Sequence, residues 1–347
     1  MEPFELGPLT VYPFGLFVAI LLVPFFILVS FRMKKNGLRK ETASWFALLA
    51  VPLCLILSHF LYCLMSLDLL LDDEELGLLF FFRFTGGGYL LWGAVAGLLL
   101  AAKFTGKITK QSGAEIMDCT AVPALLMIAA IRLLYGLLFR DIGIGMKLEF
   151  WFDPGETEWA SRLSVLSLSD WSFFERFPFA VQNYYGSWVW AVFSLQAVFA
   201  ALAAIPVSRV KAAPGGKTAF FLLLYSCGSL WMECMLIGGE IVCLPFNGFV
   251  KVNEIFCAVA ILSVFGVCVR RLPKGRRLKP ALIALVQFLV ATGVVVLMEF
   301  AAFEKKIPEI TWLPADGCHL LVLLACTWMF LALRPLWKKA YTLQPAL

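Results

Sequence analysis

The sequence predicts an all-α fold, a polytopic helical bundle set in a membrane, and three observations lead there. Hydrophobic residues make up 61% of the 347 and charged residues only 15%, with a mean hydropathy of +0.86, a balance foreign to soluble domains. Apolar runs recur along the chain, each long enough as a helix to cross a hydrocarbon core of about 30 Å. Basic residues gather in alternate connections, the pattern of a chain threaded back and forth with its positive loops on one side.

Taken in order, about nine spans are expected, near 11–31, 43–67, 88–104, 115–139, 184–207, 218–244, 249–269, 281–303 and 317–333. The first is read as a retained span, not a cleaved signal peptide, because Glu2 and Glu5 precede it and no A-x-A site follows it. Arg32, Lys34, Lys35, Arg39 and Lys40 lie in the first connection, and Lys103, Lys107 and Lys110 in the third. Arg209, Lys211 and Lys217, then Arg270, Arg271, Lys274, Arg276, Arg277 and Lys279, and finally Arg334, Lys338 and Lys339 continue the series. By the positive-inside rule these loops are cytoplasmic, the N-terminus is out and the C-terminus in. Topology thus accounts for the net charge of +5, and no nucleic-acid partner is needed.

The opposite side has another character. Asp68, Asp72, Asp73, Glu74 and Glu75 form an acidic run, and residues 141–183 form one long loop carrying Trp151, Phe152, Trp159, Trp171, Phe173, Phe174 and Phe177. A long aromatic loop at a membrane surface reads as a folded cap or an interfacial foot.

Within the fourth span stands Arg132. Its guanidinium keeps its charge, and holding it at mid-membrane costs at least ~2.5–3.5 kcal/mol unless it is paired or wetted. At ~1.5 Å of rise per residue, Arg132 lies roughly 21 Å above Asp118 and Glu233 about 22 Å above Thr218, so the two heights match. His59, Tyr62 and Trp92 come out at similar depth, while Tyr12, Gln182, Asn183 and Tyr184 sit at the outer ends of their spans. One polar layer in the outer leaflet results.

A buried cation and a buried carboxylate at one height are expected to pair. The pair reads either as a structural tie between the fourth and sixth helices or as an anion site. In the second case the arginine fork faces phosphate oxygens, with Glu233 orienting it or handling a proton. His59 is either a packed histidine bonded to a backbone carbonyl or a base. The 10 cysteines form no C-x-x-C motif and only two histidines are present, so no metal or other cofactor is expected. Gly86 to Gly88 suggest a tight turn, and Gly93 with Gly97 a close helix contact. Glu240, Lys251, Glu254, Glu299 and His319 are expected at the outer interface.

The same residues resemble a known family, the bacterial prolipoprotein diacylglyceryl transferases. Asp118, Ala121 and Arg132 stand at the spacing of its D-x-x-A and arginine motif, and Tyr225 and Glu233 fit its Y-G-x-x-R-x-x-x-E pattern. The run from Gly87 and Gly88 through Trp92, Gly93 and Gly97 looks like its G-G-x-x-x-H-G-G-x-x-G, and Gln182 with Tyr184 like its P-S-Q-L-Y-E. Gly15 and Tyr62 resemble positions in its first two spans. The resemblance covers about residues 7–270. Departures are Trp92 at the family's histidine, Tyr135 at its asparagine, Arg140 and Tyr185 at two glutamates, Ser229 at its second arginine and Phe14 at a tyrosine.

The resemblance implies a seven-helix family core over residues 1–270, with two further C-terminal helices in 271–347, in a multi-pass protein of the bacterial cell membrane. It implies transfer of a diacylglyceryl group from phosphatidylglycerol to a cysteine thiol of a lipoprotein signal peptide, leaving glycerol phosphate. Arg132, Glu233 and His59 are then the candidate catalytic residues. Tyr62, Gly87, Gly88, Trp92, Gln182, Tyr184 and Tyr225 are candidates for holding substrate. The alternative is a non-catalytic homologue that binds lipid or a membrane partner through the same pocket. A transporter is disfavoured because no inverted repeat is visible.

Overall fold

The computed structural model describes residues 4–6, 9–65, 81–82, 84, 88–138, 179–182, 188–235, 251–273, 278–304 and 315–342. Among these are nine helices: α1 (Pro13–Lys35), α2 (Lys40–Met65), α3 (Leu91–Thr109), α4 (Gly113–Leu138), α5 (Val192–Arg209), α6 (Gly216–Cys234), α7 (Val252–Arg271), α8 (Leu278–Glu304) and α9 (Ala315–Tyr341). Two short antiparallel pairs accompany them, β1 (Phe4–Leu6) with β2 (Leu9–Val11) and β3 (Ala180–Gln182) with β4 (Trp188–Trp190). The acidic run of 68–75, Gly87, Tyr184 and nearly all of the 141–183 loop lie outside the described residues.

Eight of the nine helices are long and apolar enough to cross a membrane. The exception is α6, whose hydropathy is lowered by Tyr225, Ser226, Ser229 and Glu233. Those side chains are tolerable because α6 is the bundle's central helix, packed against α4, α5, α7 and α9 with all four of these residues buried. α4 holds a similar place against α1, α3, α5 and α6. Large apolar side chains remain outside on α1 and α8, among them Val23, Ile27, Phe31, Leu289 and Val290, as a lipid-facing shell requires.

Helices α2 and α3 meet where the sequence places its small residues. A Cβ on Gly93 would fall 2.4 Å from the Leu57 carbonyl oxygen and the Ser58 Cα, and one on Gly97 2.6 Å from the Cys54 Cα. The two backbones therefore touch, as expected of G-x-x-x-G.

The expected spans recur as helices, with shifted ends. The fifth begins at Val192, not 184, because Trp188–Trp190 pairs as strand β4 instead of starting the helix. The sixth ends at Cys234, well before 244. The ninth continues past 333 to Tyr341, since Trp337 donates to the Gly216 carbonyl at 3.0 Å and Tyr341 accepts from Ala213 N at 3.1 Å, which binds this extra length to the start of α6.

The basic connections converge on one end of the bundle. Asn36 Nδ2 lies 3.3 Å from Cys119 Sγ, Thr42 Oγ1 donates to Gln111 Oε1 at 3.0 Å, and Arg271 donates to the Pro214 carbonyl at 3.0 Å while its guanidinium lies 4.2 Å from the Tyr341 ring centre.

Candidate functional site

The site begins at the basic end, with Asp118. Its carboxylate accepts from Gly215 N and Thr218 N at 2.8 Å and from Thr218 Oγ1 at 2.7 Å, so a side chain of α4 satisfies the first donors of α6. This contact sets the two helices at one level. Counting upward at ~1.5 Å per residue then brings Arg132 and Glu233 to the same height, roughly 21–22 Å from their common base. Tyr225, two turns below Glu233 on α6, is buried. Arg132 is half-buried and Glu233 is 4% exposed.

Trp92, at the start of α3, joins this layer from the side. Its indole N–H donates to Asn253 Oδ1 at 2.5 Å, and Asn253 Nδ2 donates in turn to Glu233 Oε2 at 2.7 Å, with Ser229 Oγ at 3.4 Å. Asparagine suits this position because its amide accepts from the indole with one end and donates to the carboxylate with the other. The Trp92 ring lies 6.3 Å from that of Tyr225 and 6.5 Å from that of Phe256. Hence α3, α6 and α7 are joined through buried polar atoms.

A second group forms at the top of α2. A Cβ on Gly88 would fall 2.1 Å from the Tyr62 ring, so only glycine leaves room for that side chain. His59 is wholly buried, with Nδ1 3.3 Å from the Gly88 carbonyl oxygen, Nε2 3.5 Å from Cys63 Sγ, and its ring against those of Phe84 and Tyr89. This is the packed arrangement, bonded to a backbone carbonyl, that competes with a role as base. Gln182 belongs to β3 in register with Trp188.

The third group differs from expectation. Lys251, Glu254 and His319 are buried among the helices and not solvated, Glu299 is largely enclosed, and Glu240 lies outside the described residues. Lys251 Nζ donates to the Glu233 carbonyl oxygen at 2.8 Å and lies 3.1 Å from Glu299 Oε1 and 3.6 Å from Glu254 Oε1. The ammonium is thus enclosed by two carboxylates and a carbonyl oxygen, the counter-charge that a buried cation requires. Solvated end-of-span charges and buried ones look alike in sequence, and only the partner arriving from α8 decides between them.

A bundle with nine helices among its described residues, eight of them long and apolar enough to cross a membrane, is a multi-pass membrane protein with buried charged groups between its helices. A family model described as prolipoprotein diacylglyceryl transferase matches residues 2–270, and the chain belongs to that family, a transferase family of bacterial lipoprotein biosynthesis in the cell membrane. The match ends within the last turn of α7, leaving α8 and α9 beyond it. Similar relatives are the phosphatidylglycerol–prolipoprotein diacylglyceryl transferases of Halalkalibacterium halodurans and Oceanobacillus iheyensis. The first is 27% identical over 127 residues, which is 37% of this chain and 42% of the relative. The second is 29% identical over 127 residues, 37% of this chain and 43% of the relative. The matched stretch thus spans less than half of either relative. No solved structure matches the chain.

Proposed function

We propose that this protein transfers a diacylglyceryl group from phosphatidylglycerol to the thiol of a lipoprotein signal-peptide cysteine. The observation that carries the reading is the buried Glu233 carboxylate, bonded to Asn253, at the height that helix rise gives Arg132. Arg132 holds the lipid phosphate, since a guanidinium offers a planar fork to its oxygens and keeps its charge. In the transfer, the acceptor sulfur bonds to the glycerol carbon bearing the phosphate ester. The bond from that carbon to the ester oxygen breaks, and its electron pair leaves with glycerol phosphate. Arg132 stabilises the departing charge in a site of low dielectric.

The thiol proton needs an acceptor, because a free cysteine has a pKa of about 8.5 and is mostly neutral at pH 7. Trp92 offers a donor only. Glu233 is the better base: Asn253 orients one carboxylate oxygen, and the other takes the proton. His59, held against Gly88, is the second candidate. Tyr62, Gly88, Trp92 and Tyr225 hold lipid or peptide, and Gly87, Gln182 and Tyr184 are assigned the same part by resemblance alone. The reaction as written draws on no cofactor. The N-terminus faces outward and the C-terminus faces the cytoplasm.

A second reading has its own support: with Trp92 at the family's histidine and its N–H committed to Asn253, the pocket fits a homologue that binds lipid without transferring it. Incubation of the purified protein with phosphatidylglycerol vesicles and a cysteine-containing signal peptide separates the two. A thioether-linked product, lowered at least ~100-fold by Arg132→Ala and by Glu233→Gln, is expected. Retained lipid binding without product supports the second reading.

A further inference from the structure

We propose that the helices beyond the family match complete the site: Glu299 of α8 fixes Lys251, and Lys251 positions the Glu233–Asn253 pair. The proposal rests on the reading of Glu233 as the site carboxylate. α6 ends at Cys234, so the Glu233 carbonyl belongs to the final turn. Lys251 Nζ donates to it at 2.8 Å, and a cation at a helix C-terminus is also favoured by the helix dipole. A buried ammonium persists only beside counter-charge. Glu254, one turn on in α7, is 3.6 Å away, and Glu299, arriving from α8, is nearer at 3.1 Å.

Lys251 is the N-cap of α7 and stands two residues before Asn253, whose amide spans Trp92, Ser229 and Glu233. A shift of the lysine therefore moves both ends of the same device, the Glu233 backbone and the Asn253 side chain. The donor atoms of Cys234, Glu254 and Glu299 lie within 4.8 Å of one another, a separation that would also suit a metal ion. The Lys251 ammonium lies against both of those carboxylates, so the cation of this group is the lysine. α9 packs against α6, α7 and α8 and holds α8 in place. Through Glu299, a segment outside the family's length thus reaches the carboxylate inside it.

Hydrogen–deuterium exchange on the intact protein in lipid nanodiscs tests this, with Glu299→Gln and Lys251→Met compared with wild type. Exchange is expected to rise about tenfold in the last turn of α6 and the first of α7 while α8 and α9 keep their protection. In a parallel transfer assay kcat falls and KM stays near its wild-type value. Glu299→Asp, which keeps the charge, recovers most of the protection. Unchanged exchange at the α6–α7 junction in both variants, or a rise confined to α8 and α9, overturns the proposal. The exchange response without any transfer by wild type upholds the positioning role and sinks the proposed activity instead.

Discussion

Trp92 shows how much one substitution redirects. At the family's histidine position it gives the pocket a donor where a base is expected, and Asn253 and Ser229 connect that donor to Glu233. Trp92→Phe keeps the bulk and removes the N–H, leaving the Asn253 oxygen unsatisfied in a buried layer, at a cost of about 1–3 kcal/mol. Thermal unfolding in detergent measures it, and a change within ~0.5 kcal/mol of wild type would mean that the contact contributes little. The burial of Glu233 was legible in the sequence, because a charge inside an apolar run is costly unless enclosed with partners. The part of Asn253 was not, because the opening of an apolar span does not reveal which partner each of Lys251, Asn253 and Glu254 meets. The enclosure of Glu299 and His319 was not legible for a related reason, since each takes its environment from helices distant in sequence.

At the level of elements, two contacts hold the site in register. Asp118 sets the base of α6, and Asp118→Ala removes a cap and the hydroxyl contact to Thr218, which is expected to cost about 2 kcal/mol. The loss is also expected to lower phosphatidylglycerol binding, although Asp118 is remote from the lipid, because Glu233 then loses its fixed height. Calorimetric unfolding and a lipid-binding titration check both halves. The α2–α3 contact is tighter. Gly97→Val has no room without parting the backbones and is expected to destabilise by at least ~2 kcal/mol, read as a lowered Tm, whereas Gly15→Ala, with nothing within 4 Å, is expected to be nearly silent. Helix existence was legible from apolar length. Helix ends were not, because β4 claims Trp188–Trp190 and the base of α6 engages Trp337 and Tyr341.

The whole molecule is organised by polarity along the bundle. The basic connections meet at one end, where a cavity of about 480 Å³ is lined by Lys103, Lys107, Arg271 and Tyr341. The charged layer lies roughly 21 Å above it by helix rise. The proposed orientation, drawn from the loop charges, is tested by a fluorescent protein fused to the C-terminus, which is expected to mature in the cytoplasm, and by an exported-only reporter there, which is expected to stay inactive. The tie from α8 to Glu233 depended on packing that no local pattern announces. The claim on which the account turns is that Arg132 takes the phosphate of phosphatidylglycerol. Native mass spectrometry of the protein released from mixed phosphatidylglycerol and phosphatidylcholine vesicles tests it most directly. Wild type is expected to retain phosphatidylglycerol selectively and Arg132→Ala to lose that selectivity, whereas equal retention by the two proteins would contradict the assignment.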